Sequence, residues 1–230
     1  RLQIDGQGVV LVDLPGTYSL TAYSIEEIIS RDFIINEQPK AVIAVVDSAN
    51  LERNLYLVMQ VLELEVPVIL VLNMTDIARS RGMTIDKAKL SARLQGIPVI
   101  ETIGNNGVGI DSVKSAIQQA TAPNSYRPLT IPYDDAIERE LAPLQAQIQA
   151  IPALTAQYRT RWLALKLLEG DDDITQKLAN YPDFIQMAQS ASERVESATG
   201  DDPETLITDG RYGFINTLVS GTLTRPREMV

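Results

Sequence analysis

The chain has 230 residues, which is enough for one or two domains that each bury a core. Hydrophobic residues make up 45% of it and charged residues 22%, as in ordinary globular proteins, and its formal net charge is −10. This charge argues against nucleic acid as a partner, because binding to phosphates depends on Lys and Arg. It would also repel an anionic membrane surface, so any link to a membrane is expected to be covalent.

The sequence contains neither cysteine nor histidine, which excludes disulfides, thiolate catalysis, zinc–thiolate sites and imidazole chemistry. Any metal is therefore expected to be a hard cation bound by oxygen atoms. No apolar run approaches the roughly 20 residues that span a bilayer. The residues after Arg1 alternate as in a strand and do not resemble a signal peptide. These features indicate the cytoplasm as the default compartment.

The first half of the chain alternates short β-branched runs with amphipathic segments, a pattern typical of a parallel sheet with crossover helices. One helix is predicted at "SIEEIISRDFII", where Ser24 and Glu27 have the spacing of a capping box. A second is predicted after Asn50, which is expected to cap it, and a third over Ile110–Ala120. The predicted strands are Gly8–Val12, Ala41–Val46, Val66–Leu72 and Pro98–Ile100.

The composition changes at "TAPNSYRPLTIP", whose three prolines predict a linker over residues 122–133. The linker separates a first domain, residues 1–121, from a small all-helical domain, residues 134–225, and residues 226–230 are expected to form a tail.

In the second domain, Asp202 before a proline predicts a helix start, and Trp162 is expected in the core. The acidic run "EGDDD" is interpreted as a solvated cap and turn rather than an iron site. The predicted helices are Asp134–Gln149, Thr155–Glu169, Ile174–Ala179, Pro182–Ser197 and Pro203–Thr222.

Three polar motifs follow predicted strands, where ligands bind in doubly wound sheets. They are "DLPG" at Asp13–Gly16, "NMTD" at Asn73–Asp76 and "ETIGNNG" at Glu101–Gly107. Each motif alone is weak, because a turn explains the first and a helix cap explains the second equally well. All three on successive strand-to-helix loops are far less often accidental, and together they favour a site for a guanine nucleotide with Mg²⁺.

The first motif has the residues that the phosphates and the metal require. Asp13 would hold Mg²⁺ through a bound water, because this ion keeps much of its hydration shell. Gly16 would let a backbone N–H approach the γ-phosphate, where a side chain would obstruct it.

The second and third motifs have the residues that would read the base. Asp76 would accept hydrogen bonds from guanine N1–H and the exocyclic amine, and it would repel the N1 acceptor of adenine. Asn73 would brace the loop, and a backbone amide of Ile103 or Gly104 could reach guanine O6. The predicted base-side residues are Asn73, Met74, Asp76, Thr102, Ile103 and Gly104.

The runs "LVDLPGTYSLTAYSIEEIISRDFI", "AVIAVVDSANLERNLYL" and "VPVILVLNMTDIA" resemble the cytosolic G domain of the ferrous iron transport protein B (FeoB) family. "RWLALKLLEGD" and "DGRYGFI" resemble the helical domain that follows it, so the resemblance covers nearly the whole chain. It implies an α/β fold, a P-loop GTPase-like parallel sheet followed by helices. It further implies GTP binding and hydrolysis coupled to ferrous iron uptake by a membrane permease of the same parent protein.

In that setting residues 226–230 would lead toward the membrane domain, and the chain would lie at the cytoplasmic face of the inner membrane. The resemblance leaves homo-oligomer formation open.

One departure from the family is large, because the sequence has no G-x-x-x-x-G-K-[ST] phosphate loop. The Gly-rich "GNNGVGIDS" lacks the lysine and follows the wrong strand. The first strand, the phosphate loop, the catalytic groups and the ligands of a potassium ion used by family members are therefore expected upstream of Arg1. A divergent relative is the alternative.

Smaller departures concern rate and affinity. Thr17 stands where Ras-like enzymes have the glutamine that orients water, which predicts slow hydrolysis. Met74 replaces a frequent lysine, which predicts weaker nucleotide binding, and Ile103–Gly104 replaces the usual Ser–Ala pair. Two hypotheses follow, a GTPase switch and a regulatory module that keeps the fold without turnover, while Asn73 and Asp76 disfavour an ATP-utilising enzyme.

Overall fold

A computed structural model describes residues 2–4, 6–122 and 126–225. The strands in these residues are β1 (Leu2–Ile4), β2 (Gln7–Val9), β3 (Val42–Asp47), β4 (Val68–Asn73), β5 (Thr84–Ile85), β6 (Val99–Glu101) and β7 (Leu223–Thr224). The helices are α1 (Ile25–Glu37), α2 (Leu51–Glu63), α3 (Thr75–Ser80), α4 (Lys87–Arg93), α5 (Ile110–Ala120), α6 (Asp135–Gln149), α7 (Pro152–Gln157), α8 (Thr160–Glu169), α9 (Asp172–Lys177), α10 (Pro182–Thr199) and α11 (Pro203–Val219).

A three-stranded parallel sheet in the order β3-β4-β6 positions the candidate site. The central strand is buried over Val68–Leu72, as expected for a β-branched and leucine-rich run covered on both faces. Because the strands are parallel, their carboxyl ends bring Asp47, Asn73 and Glu101 to the same edge. The predicted parallel sheet is confirmed, and the three predicted strands that form it lie within two residues of the observed bounds.

The predicted strand over Gly8–Val12 is wrong in both its length and its partner. β2 ends at Val9 and pairs with β1 as an antiparallel hairpin, with Ile4 opposite Gln7. Within the described residues no strand pairs with Val10–Val12, whose side chains are 53–67% exposed. An apolar run needs ladder hydrogen bonds as well as β propensity to continue as a strand.

The start of α1 is confirmed and that of α2 is corrected. The Glu27 amide donates to Ser24 Oγ at 3.2 Å and the Ser24 amide to Glu27 Oε2 at 3.3 Å, which completes the capping box. Asn50 does not cap α2 with its side chain; its Nδ2 donates to Asp47 Oδ2 at 2.7 Å. Asp47 instead caps the short 3₁₀ turn Ser48–Asn50 that precedes α2, because its Oδ1 accepts from the Ala49 amide at 2.8 Å.

The predicted helix Thr155–Glu169 is wrong, because the chain breaks into α7 and α8 at Tyr158 and Arg159. Tyr158 is extended, at φ −114° and ψ 147°, and its ring stacks on Trp162 with centroids 6.0 Å apart. Trp162 is 1% exposed, which confirms its place in the core. The helix break coincides with this aromatic packing, and there is no glycine or proline at Tyr158–Arg159 that would have predicted it.

The acidic run "EGDDD" forms a cap and turn as predicted, with Asp171 Oδ1 accepting from the Ile174 amide at 3.0 Å, but it is not solvated, because two of its carboxylates enter a buried ion-pair network. Glu169 Oε2 lies 2.7 Å from Lys166 Nζ, and its Oε1 lies 2.7 Å from Arg211 Nη1. Asp171 Oδ2 lies 2.8 Å from Arg31 Nη1. The Glu169 and Asp171 side chains are only 5% and 3% exposed. The sequence does not indicate this burial because two of the three cations, Arg31 and Arg211, come from helices that are distant along the chain.

The described chain divides into two compact units that interleave along the sequence. The first contains all the strands, α2 to α5 and the end of α11 from Ile215 onward; the second contains α1, α6 to α10 and α11 up to Phe214. The sequence boundaries 1–121, 122–133 and 134–225 stay a prediction. One core cluster of the first unit consists of Ile4, Ile69, Val71, Ala116 and Ile117. The buried core of the second includes Ile137, Leu141, Leu144, Trp162, Leu163, Leu165 and Ile207.

No helix in the described part of the chain has the length and apolar character to cross a membrane.

Candidate functional site

Asn73, at the end of β4, connects the three loops at the carboxyl edge of the sheet. Its Oδ1 accepts from the Gly104 amide at 3.0 Å and from Thr102 Oγ1 at 3.1 Å. Its carbonyl accepts from Ser48 Oγ, after β3, at 2.6 Å. Ser48 is fully buried and escaped the sequence analysis. The only signal for it was its position two residues after the predicted strand Ala41–Val46.

The turn between β4 and α3 presents Asp76. Thr75 is buried, and its amide and hydroxyl lie 3.4 Å and 3.2 Å from the Thr102 carbonyl oxygen, which accepts from both. Met74 adopts the left-handed conformation, with φ 57° and ψ 36°, and its side chain is 44% exposed. Asp76 then lies in the exposed first turn of α3, where a ligand can reach its carboxylate.

The "ETIGNNG" loop uses its own backbone amides. The Ile103 amide donates to the Val108 carbonyl at 3.1 Å, and the Gly104 amide donates to Asn73 Oδ1. The amides expected at guanine O6 therefore already have protein acceptors, and contact with O6 stays a prediction that requires local rearrangement.

Gly109 fixes the end of the same loop. It was not among the predicted site residues. It has φ +87°, and a Cβ atom there would lie 2.2 Å from the Glu101 carbonyl oxygen. A side chain is excluded, so α5 begins where only glycine fits. The Gly-x-Gly pattern before a helix was the available signal.

The "DLPG" motif lies on an exposed segment without regular secondary structure, and both Asp13 and Gly16 are exposed. Two residues further on, Tyr18 packs its ring against the Arg53 guanidinium of α2, 4.6 Å from centroid to Cζ. No group of three or more acidic side chains in the described residues could hold a metal alone. A single accessible carboxylate still fits Mg²⁺, which takes one or two carboxylates besides water and phosphate oxygens.

The structure thus brings Asn73, Thr102 and Gly104 into direct contact beside Asp76, while Asp13 and Gly16 lie on another segment. Comparison with known proteins identifies the family of the chain. The family model described as ferrous iron transport protein B matches residues 1–117, and the model of the FeoB cytosolic helical domain matches residues 133–224. The chain belongs to the FeoB family.

Curated FeoB relatives agree with this assignment. The Fe(2+) transporter FeoB of Escherichia coli K12 is 39% identical over 94% of this chain, which covers 28% of that protein. A Porphyromonas gingivalis Fe(2+) transport protein A/FeoB fusion protein is 38% identical over 90% of this chain, which covers 25% of it. The chain therefore spans about a quarter of the length of these relatives.

Solved FeoB structures share the fold. An S. thermophilus NFeoB mutant bound to GDP has a TM-score of 0.82 at 30% identity, with 92% of this chain and 80% of that chain covered. The cytosolic domain of T. maritima FeoB in a GDP form has a TM-score of 0.80 at 30% identity, with 97% and 83% covered. The resemblance and the predicted fold class, a G domain with a helical domain, are confirmed.

Proposed function

We propose that this FeoB chain binds and hydrolyses GTP as the switch of a ferrous iron transporter, and acts on a membrane permease of the same parent protein. The observation that carries the proposal is the Asn73 side chain, which joins Gly104 and Thr102 beside the exposed Asp76. The GDP-bound form of S. thermophilus NFeoB and the GMPPNP form of the T. maritima FeoB cytosolic domain support it.

Base recognition would depend on Asp76. As a carboxylate it only accepts hydrogen bonds, so it pairs with two neighbouring guanine donors, N1–H and the C2 amine. Adenine presents an acceptor at N1 and would leave a pair of acceptors facing each other. Asn73 positions this residue indirectly, because its hydrogen bonds hold the β6 loop against the start of α3. Met74 offers only an apolar contact to the face of the base.

The phosphate side would depend on Asp13 and Gly16. Asp13 would hold Mg²⁺ through water; when bound, this ion neutralises charge on the β- and γ-phosphates. Gly16 leaves its backbone N–H accessible to the γ-phosphate. Thr17, at the position of a water-orienting glutamine, predicts slow hydrolysis. We infer that the chain lies at the cytoplasmic face of the inner membrane.

The alternative is a regulatory module that keeps the G fold without turnover. The absence of G-x-x-x-x-G-K-[ST] from the 230 residues would favour it only in a protein in which no phosphate loop precedes Arg1. A strand and a phosphate loop in the sequence preceding Arg1 would remove this support.

The test is Asp76→Asn in a form of the chain extended upstream to include a phosphate loop. Asparagine can accept from N1–H and donate to the C2 carbonyl of xanthine, whereas guanine would present its amine to another donor. A mismatched buried pair costs about 1–3 kcal/mol, so GTP affinity should fall roughly ten- to hundredfold while XTP affinity rises.

The measurement is a competition titration of GTP, XTP and ATP against both proteins. Asp111→Asn is the matched control, because Asp111 is an exposed first-turn aspartate of α5. An unchanged order of the three nucleotides in Asp76→Asn would show that Asp76 does not read the base.

A further inference from the structure

After α11 the chain enters a short segment, Ser220–Arg225, which we name the exit segment. Its strand β7 pairs antiparallel with β5, with Leu223 opposite Ile85. The Asp86 amide donates to the Thr222 carbonyl at 2.7 Å, and Thr222 is only 2% exposed. The exit segment is therefore built into the first unit and is not a loose extension of the helix.

Helix α4 supplies donors to the end of α11. Lys89 Nζ donates to the Gly221 carbonyl at 3.0 Å. The last carbonyl groups of a helix lack intrahelical donors and favour nearby cations, so a Lys or Arg side chain that donates to them stabilises the end of the helix. Arg93 Nη1 donates to three of the carbonyl oxygens in this region, those of Thr217 at 2.5 Å, Leu218 at 3.0 Å and Ser220.

Strand β5 and helix α4, which hold the exit segment, directly follow α3 along the chain. Asp76 lies in the first turn of α3, and only Arg81–Met83 separate α3 from β5. This connection is tight, because the Met83 amide donates to the Ala78 carbonyl at 2.9 Å and Met83 is 7% exposed. A ligand that makes α3 more rigid therefore also restricts β5, because only three residues connect the two elements.

We propose that the exit segment is the output element of the G domain, and that base binding at Asp76 and docking of this segment on β5 and α4 stabilise each other. The inference rests on the proposed guanine-nucleotide function. A ligand that orders α3 lowers the entropy cost of ordering β5, and hence of pairing β7 with it. Under the proposed function its partner is the membrane permease of the same parent protein, and this chain spans only 25–28% of the length of its FeoB relatives.

The test is hydrogen exchange of the exit segment, with and without saturating GDP, in the chain extended to include a phosphate loop. GDP should slow exchange there about fivefold or more, the lower end of usual coupling. Arg93→Ala should speed exchange and abolish the GDP effect. By reciprocity GDP affinity should fall by a similar factor. Lys114→Ala is the matched control, because it removes a cation paired with Asp111 on α5 and should change neither readout.

The outcomes separate this inference from the function on which it rests. GDP binding without any change in exit-segment exchange overturns the inference alone, whereas absence of GDP binding by calorimetry overturns both. If Arg93→Ala fails to fold, Lys89→Ala removes only the Gly221 contact and should weaken the GDP effect partially. A full GDP effect in that variant also overturns the inference.

Discussion

At the residue scale, two glycines of one loop have different requirements. A Cβ atom on Gly104 would meet Asn73 Oδ1 at 3.4 Å, an ordinary contact, and the residue is not in the left-handed region. Gly109 is left-handed, and its Cβ atom would overlap the Glu101 carbonyl oxygen at 2.2 Å. The loop therefore tolerates alanine at the first position and not at the second.

Gly109→Ala is expected to lower the free energy of unfolding by about 2–4 kcal/mol, the sum of a left-handed alanine and an overpacked contact. Gly104→Ala should be neutral or stabilising, because it restricts the unfolded chain without a clash. Urea unfolding of both variants measures the difference. Equal stability of the two would contradict the assigned geometry of the loop.

The sequence predicted which loops form the site, but not the contacts that hold these loops in place. Asn73 and Asp76 were identifiable because they follow a clear strand. Ser48 was not, since its hydroxyl reaches a carbonyl 25 residues away, and the Gly-x-Gly pattern at Gly109 did not reveal that the Glu101 carbonyl oxygen excludes a side chain there. Local spacing contains no information on such partners.

At the element scale, segments with a clear local pattern were predictable, whereas breaks and strands that depend on distant partners were not. Ile110–Ala120 is confirmed to the residue, and Asp202 caps α11 as predicted, accepting from the Thr205 amide at 2.8 Å. The two-residue strands β5 and β7 pair across more than half of the chain, so no local pattern marks them. The run Gly8–Val12 failed because strand formation depends on a neighbour.

Glu169 links α8 to α11 through its ion pair with Arg211, and we predict that this contact is lost in acid. Burial alone would raise its pKa, but Arg211 and Lys166 outweigh burial and lower the pKa from 4.5 to about 2. Because the folded pKa lies below the unfolded one, the stabilisation is complete above about pH 5 and is lost as pH falls toward 2. The loss is expected to be on the order of 3 kcal/mol.

The measurement is urea unfolding between pH 6 and 3, monitored by Trp162, the single tryptophan. Glu169→Gln should be less stable than the parent at neutral pH, since Arg211 and Lys166 each lose a buried ion pair at 2.7 Å, and its stability should depend less on pH. Glu196→Gln, on the exposed face of α10, should follow the parent. Parallel pH profiles for Glu169→Gln and the parent would rule out this role.

At the scale of the whole molecule, helix α1 belongs to one region by sequence and to another by packing. It lies within residues 1–117, which match the FeoB G-domain family, yet it clusters with the second, helical unit. Its buried face includes Arg31, whose guanidinium pairs with Asp171 at 2.8 Å and lies 5.9 Å from the Trp162 ring. The sequence could not indicate this, because the partners are about 140 residues away.

A fragment of residues 130–219 is therefore expected to be less stable than the chain and to show red-shifted Trp162 emission. Adding a peptide of residues 24–37 should restore the emission. An Arg31→Ala peptide should bind about a hundredfold more weakly, because buried Asp171 loses its 2.8 Å ion pair and keeps only Lys166 at 4.0 Å, at a cost of about 3 kcal/mol. A Glu37→Ala peptide, altered at an exposed position, should bind like the parent peptide. If the fragment alone matches the chain in emission and unfolding free energy, α1 is not part of the helical unit in solution.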